Sequence, residues 1–446
     1  MERLRKQLAK FIYSYLRACA RLQLKKYNSI IIGITGTAGK STIVLATQTI
    51  LETRYKVLSS YQKGRGLNSR TGIPFVILGI MPEGYSFLNW LKYILLCPVK
   101  LITNWEKYNY LVLEYGIDTK DEMEDLLKIA IPEIGIWINT GSTHIGNFEG
   151  KFASPKKAID AIAFEESKMI KALKHNGTAI IRIDDTHMRK QLKLWKSKKT
   201  TKIYISSETV KSTLSNGELF YEFSYENKTY KSVIKKYALT QDHPFSFISA
   251  ILVGYKCNIS IKDGIKILEN ELELPKGRNS LIAGRNNSLI IDSSYNSSPD
   301  ALNSAIETLA SFNSRPKIAV LGDMRELGDV SLKLHKDAAD YMAKILPKDS
   351  LIVTIGPMMK EYLTPELISF GFINVKNFMI AGDAGRYLLT MVEQLKYSSS
   401  ILLVKGSQNT IFTEIIVEML MANPKEKNEL LTRRGQYWDK LRQPFL

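Results

Sequence analysis

The sequence predicts an α/β protein: two sheet-bearing units behind an amphipathic helix. Three observations predict it. Apolar runs of strand length alternate with helical patterns, which implies a mostly parallel sheet with helices on both faces. That alternation occurs twice, and between the two series the chain changes character. Residues 1–27 set Leu4, Leu8, Phe11, Ile12, Tyr15, Leu16 and Leu22 at helical spacing among arginines and lysines. The expected divisions are 1–27, 28–275 and 276–446.

Residues 1–27 carry eight Lys/Arg against one Glu. Such a helix either packs on the domain that follows or lies on a membrane surface. NSIIIGI then reads as a buried strand, followed by a glycine-containing turn and the helix KSTIVLATQTILETR. YSFLNWLKYILLCPVKLI (85–102) is apolar but interrupted by Asn89, Lys92, Pro98 and Lys100, too short and broken to span a bilayer. It is either a packed amphipathic helix or one that docks on a membrane or a partner. YLVLEYG, EIGIWIN and TAIIRID are the next strands, separated by helical DEMEDLLKIA and AIAFEESKMIKALKH. Residues 201–235 read as an antiparallel insertion or flank, and a helix near 243–256 follows. ELPKGRNSLIAGRNNSLIIDSSYNSSPD, rich in Gly, Asn, Ser and Pro, connects to a second unit with strands SLIIDSS, KIAVLGDM, SLIVTIG and ILLVKGS.

The 446 residues, 45% hydrophobic and 24% charged, suit two or three well-buried domains. Cys19, Cys97 and Cys257 lie far apart, which argues for a reducing compartment and against a zinc site or disulfide framework. The basic N-terminus has no uninterrupted apolar core, so no signal peptide is evident. A cytoplasmic protein is expected, with contact at the inner membrane face through 1–27 or 85–102 left open. A net charge of +18 suits nucleic acid, an acidic membrane surface or a polyanionic substrate. No nucleic-acid motif accompanies it, so no nucleic-acid partner is expected.

The chemistry begins at GITGTAGKST, residues 33–42. Between a strand and a helix, its backbone N–H groups and the helix dipole face an anion. Lys40 is placed to reach the terminal phosphates of a nucleotide and Ser41 to put a hydroxyl on Mg²⁺. The usual phosphate loop has a further glycine five residues before Gly39, where this chain has Ile34.

Thr35-Gly36-Thr37-Ala38-Gly39-Lys40-Ser41-Thr42 resembles the loop of the Mur ligase family, TGTxGK followed by two hydroxyl residues, which does not need the earlier glycine. Further segments resemble that family in order and spacing. They are LNSRTGIP with Asn68, LVLEYGID with Glu114, INTGSTHIGNFEG with Asn139 and His144, AFEESKMI with Lys168, LIIDSSYNSSPDAL, IAVLGDMRELG and LLVKGS. The last segments are similar to the branch that joins D-Ala-D-Ala to UDP-MurNAc tripeptide. The resemblance covers roughly 28–446. It implies a central P-loop ATPase domain, a C-terminal Rossmann-like domain, and an ATP-dependent ligase of peptidoglycan precursor synthesis that works through an acyl phosphate.

The resemblance also implies roles. Gly36, Thr37, Ala38, Gly39, Lys40, Ser41 and Thr42 would hold ATP, with Arg278, Asp292 and Asn296. One Mg²⁺ would sit at Ser41 and Glu114. A second would sit at His144 and Lys168, the lysine converted by CO₂ to a carbamate that offers oxygen to a hard metal. Lys40, Glu114, His144 and Lys168 would be the catalytic set. Asn68, Asn139, Asp323 and Lys405 would serve the peptide precursor and the dipeptide. Departures from the family accompany these matches. Where the family reads adenine with asparagines, DHPFSFISA offers His243, Pro244 and Phe247, so either Phe247 packs on the base or that contact is lost. The second Asp of the family's IDD is Ser293, and its Asn-x-Asp-Asp strand end is Arg182-Ile183-Asp184-Asp185. About 30 residues precede the loop strand where the family has a domain that grips the UDP-sugar. A ligase of the same fold acting on another wall precursor therefore stands as the alternative.

Overall fold

The basic N-terminal pattern folds as one helix, α1 (Glu2–Tyr27), in the computed structural model, which describes residues 2–62, 64–141, 148, 155–197, 199–407 and 410–446. Its inward face is Leu16, Cys19, Ala20, Gln23 and Tyr27, one helical stripe. That stripe meets α3 (Gly72–Leu78) and α4 (Phe87–Thr103) around Phe75, Leu78, Tyr93 and Cys97. Tyr27 donates to the Ile77 carbonyl (2.6 Å) and Tyr15 to the Ile94 carbonyl (2.9 Å). Of the two readings of 1–27, packing on the following domain is therefore realised on one face.

By its contacts the chain divides into two units. The first is Met1–Gly141, Lys156–Val210 and Phe245–Glu273. Its sheet runs β2 (Val57–Ser59), β5 (Tyr110–Glu114), β1 (Ile30–Thr35), β6 (Ile134–Trp137), β7 (Thr178–Arg182), β8 (Thr201–Ile205), all parallel. A two-stranded piece, β3 (Tyr61–Gln62) with β4 (Arg65–Gly66), lies outside it. β1, β5 and β6 are apolar runs buried on both faces, as a central parallel strand requires. Helices α2 (Lys40–Glu52), α5 (Glu122–Leu127), α6 (Pro155–Lys171), α7 (Thr186–Lys193), α8 (His243–Lys256) and α9 (Ile261–Glu271) complete it.

Two details differ from the sequence reading. Residues 201–205, taken with the antiparallel stretch, pair parallel with β7 as the edge of this sheet. Alternation of side chains is the same in either pairing direction, so the pattern alone could not separate them. The true antiparallel part is β9 (Val210–Ser215), β10 (Glu218–Tyr225) and β11 (Lys228–Ile234), and it belongs with the second unit rather than with 28–275. The reason is local: the Asn216-Gly217 turn, with both residues at positive φ, seats against Phe312. A Cβ on Gly217 would come within 2.3 Å of that ring.

The second unit comprises Ser142–Pro155, Lys211–Pro244 and Leu274–Leu446. Its main sheet runs β12 (Ser280–Ala283), β13 (Leu289–Ser293), β17 (Ile401–Lys405), β14 (Lys317–Gly322), β15 (Leu351–Ile355), β16 (Asn374–Phe378). All pairs are parallel except the β12 edge. Two apolar cores cover its faces, one under α10 (Pro299–Ala310) and α11 (Ser331–Ile345), the other under α12 (Ala381–Val392) and α13 (Glu414–Leu420).

A buried ion pair lies in this unit. Arg433 meets Glu414 at 3.0 Å, both side chains at most 3% exposed, and the guanidinium also donates to the carbonyls of Ser294 and Tyr295. Removing one member strands the other charge. Arg433→Met is expected to cost about 3–5 kcal/mol, and the double change with Glu414→Leu to recover a large part; urea denaturation of both variants checks this.

Candidate active site

The turn from β1 into α2 is possible only with glycine at two places. Gly36 (φ 136°) presses on the backbone of Asn139, and Gly39 (φ 83°) is left-handed at the head of α2. Gly39 gives that helix end no side-chain cap, so its first N–H groups are left for an anion.

Asn139, at the end of β6, holds the loop on both sides. Its Oδ1 accepts from Ala38 N (2.9 Å), its Nδ2 donates to Ala38 O (3.1 Å), and its carbonyl accepts from Thr37 N (3.1 Å). Both ends of the side chain are thus committed to the loop, a bracing role rather than the substrate contact expected of it. Lys40 Nζ bends back on the Gly36 and Thr37 carbonyls (2.6 and 3.1 Å).

Ser41 opens α2, and its Oγ donates to Glu114 Oε2 (2.9 Å) from the end of the neighbouring strand β5. Glu114 is 4% exposed. Its other oxygen accepts from Asn68 Nδ2 (2.8 Å), and its N–H donates to Ser60 Oγ (2.8 Å). Asn68 therefore orients Glu114. It also sits so close to Gly116 that a Cβ there would lie 2.8 Å from its amide, which accounts for the glycine two residues after the glutamate.

Lys168 was expected here and is elsewhere. Its ammonium lies among Glu165 (2.8 Å), Glu124 (2.9 Å) and Asp121 (3.5 Å). Burial works to lower its pKa, but the hydrogen bonds it donates to Glu165 and Glu124 outweigh it and raise the group above an ordinary lysine. Carbamate formation needs the neutral amine, and its product would be an anion among three carboxylates, so the site does not fit a carbamate. Two residues make about 200° around a helix, and the residue facing the loop is Glu166. It is 1% exposed and accepts from Thr140 Oγ1, from Trp137 Nε1 (3.0 Å) and from Thr37 Oγ1 (3.3 Å). Burial pushes its pKa up to about 7, against those hydrogen bonds and the charge of Lys40. The sequence reading missed Glu166, although it stands in the quoted AFEESKMI.

His144 lies outside the described residues. Phe247 is fully buried in the core, so it does not pack on a base; Arg182 instead lies over Phe245 at 3.6 Å. Asp185 caps α7, accepting from His187 and Met188 N–H, and also accepts from Thr140 N (3.3 Å). Among the described residues no cluster of three or more His, Cys, Asp or Glu forms a metal cage. Ser41 and Glu114 nevertheless offer adjacent hard oxygens beside the helix end, a donor set that fits Mg²⁺ sharing its shell with phosphates.

The second unit gathers its own set at the carboxyl ends of its strands. Lys405 closes β17 opposite Ser293 and donates to the Asn296 carbonyl. Burial pushes its pKa down to about 7, the charge of Arg278 assisting and Asp292 opposing. Asp292 is fully buried; one oxygen accepts from Ser294 N (3.1 Å), and burial raises its pKa. Arg278 lies over the Tyr295 ring at 4.8 Å. Asp323 is turned to structure: its Oδ1 accepts from Met359 N (2.8 Å), and it packs on Gly356, which leaves it poorly placed for the substrate role expected of it.

The Mur ligase middle domain matches residues 34–240, and the Mur ligase, glutamate ligase domain matches 277–408. The UDP-N-acetylmuramoyl-tripeptide–D-alanyl-D-alanine ligase of Bacillus subtilis is 24% identical over 91% of this chain and 79% of its own length. That of Borreliella burgdorferi is 27% identical over 73% and 62%. Among solved structures, MurF from Acinetobacter baumannii superposes with a TM-score of 0.72 at 22% identity, covering 92% of this chain and 81% of that one. Thermotoga maritima MurF ligase in complex with ADP gives 0.69 at 20% identity, covering 91% and 83%.

The raised pKa of Glu166 has a pH signature. The folded state holds this proton up to about pH 7, the unfolded chain only to its ordinary value, so the group's contribution falls as pH rises between the two. The loss is expected to be on the order of 2–3 kcal/mol. Thermal melts from pH 5 to 8 should show wild type losing stability relative to Glu166→Gln by that amount.

Proposed function

The chain belongs to the Mur ligase family, and on that premise we propose that it joins D-Ala-D-Ala to UDP-MurNAc tripeptide at the expense of ATP, in the cytoplasm. The observation that carries this reading is the Asn68–Glu114–Ser41 relay beside the Lys40 loop.

The loop N–H groups and the head of α2 receive the phosphates, with Lys40 swinging from its carbonyls onto them. Ser41 and Glu114 would hold Mg²⁺, and Glu166 offers a second carboxyl group near Thr37. When bound, the metal neutralises charge between the phosphates and the incoming carboxylate. That carboxylate displaces ADP from the terminal phosphoryl group and becomes an acyl phosphate. The amine of the dipeptide then attacks the acyl carbon, inorganic phosphate leaves, and one proton is released. In the second unit we assign Arg278, Asp292 and Asn296 to the nucleotide and Lys405 to the dipeptide. Lys405, whose pKa burial lowers to about 7, is positioned to exchange a proton near neutrality.

Phosphate release from ATP tests the reading. It is expected to need both UDP-MurNAc tripeptide and D-Ala-D-Ala, to yield a product heavier by the dipeptide, and to vanish in Lys40→Ala. A folded, ATP-binding protein that releases no phosphate with this pair would move the substrate to another wall precursor.

Two further outcomes separate the residues. Glu166→Gln should lower kcat by about 10²-fold or more, while Lys168→Gln stays within about threefold and stripping dissolved CO₂ changes nothing, since no carbamate is needed. Asn68→Ala should lower kcat by about 10–100-fold, with ATP affinity measured alongside, because Glu114 remains but loses the amide that orients it.

A further inference from the structure

We propose that the outer face of α4, with the adjoining side of α1, docks on an anionic lipid bilayer and lies in its headgroup region without crossing it. The inward side of α4 is settled by Tyr93 and Cys97, both buried. On the other side Leu88, Leu91, Leu95, Val99 and Ile102 are all exposed, Leu88 at 75% and Ile102 at 71%. At 3.6 residues per turn these five fall within an arc of about 80°. They form a continuous apolar stripe along the whole helix, which the fold leaves uncovered and which differs from singly scattered surface leucines. Phe87 and Trp105 mark its two ends, at 79% and 71% exposure, and large aromatic rings at such ends suit the boundary between headgroups and acyl chains.

α1 extends that face. It is fastened to α4 by the Tyr15–Ile94 hydrogen bond and by Lys26, which bonds the Leu101 carbonyl and lies over the Trp105 ring at 4.4 Å. Phe11 and Leu22 are exposed on it.

Charge decides the occupant. Residues 86–105 contain Lys92 and Lys100 and no acid, with Lys92 paired to Glu83 and Glu106 to Lys56 at either end, and residues 1–27 carry eight Lys/Arg against one Glu. Lys10, Arg21 and Lys25 are exposed. A second copy of this chain would bring the same basic helix against itself. An anionic headgroup layer matches the basic rim and takes the apolar stripe below it. No helix among the described residues is long and apolar enough to cross a membrane, and Pro98 with the two lysines keeps α4 at the surface. The placement does not depend on which peptide the enzyme joins.

Flotation of the full chain with vesicles tests it, using phosphatidylcholine alone and phosphatidylcholine containing phosphatidylglycerol. Binding is expected to the mixed vesicles, to weaken with salt, and to shift tryptophan emission to the blue. Leu91→Ser with Leu95→Ser should weaken it about tenfold or more, and Arg21→Glu with Lys25→Glu by a similar factor; unchanged melting temperatures show that the variants fold. Failure to bind the mixed vesicles overturns the proposal. So does equal binding to both vesicle types, or binding indifferent to the serine pair. A concentration-dependent dimer that the serine pair breaks, without vesicle binding, would assign the face to a second copy and overturn it as well.

Discussion

The first unit depends on one constraint: the chain must leave a central strand and enter a helix with its backbone N–H groups turned outward. Two left-handed glycines make the turn sterically possible, and Asn139 fixes it by bonding both sides of Ala38. Asn139 sits at the end of β6, while Glu114 sits at the end of β5 on the other side of β1. The parallel register of these three strands therefore puts brace, loop and carboxylate at one edge of the sheet. This is the crevice at the carboxyl ends of strands where open α/β sheets place their ligands.

Around that edge the polar groups are arranged in layers. Ser41 and Glu114 stand nearest the loop, and Asn68 and Ser60 hold Glu114 in turn. Glu166 is held by Thr140 and Trp137 from β6 and the segment after it. Each buried carboxylate has at least two donors, which keeps it in place without removing its capacity to take a cation. The second unit solves a similar problem with the Arg433–Glu414 pair, which grips the Ser294 and Tyr295 carbonyls behind Asp292 and Asn296.

Much of this was legible in the sequence. The strands of both sheets were readable where they are continuous apolar runs, because a strand buried on two faces admits little else. The short β2 and the partly exposed β16 carried no such signal. Gly36, Gly39, Lys40, Ser41 and Glu114 do come together at one sheet edge, because backbone geometry fixes the loop locally and Glu114 stands at the end of the neighbouring strand. Asn68, Asn139 and Asp323 bond neighbouring protein groups, which the sequence did not announce. Whether an amide or a carboxylate meets a ligand or a neighbouring backbone group depends on what else comes within hydrogen-bond distance.

The lysine on α6 shows where the sequence stops. It determined that Glu165, Glu166 and Lys168 share a helix, and that one of them approaches the phosphate loop. Only the tertiary structure decided which, because the answer lies in how α6 is rotated against β6. That rotation follows from its apolar residues, Ala163, Met169 and Ile170, entering the core. Rotation buries Glu166 among Trp137, Thr140 and Thr37 and sends Lys168 to Glu124. The same holds for α1 and α4, whose amphipathic patterns were written in the sequence. Which stripe the core would take, and which apolar stripe would stay uncovered, was settled by packing alone.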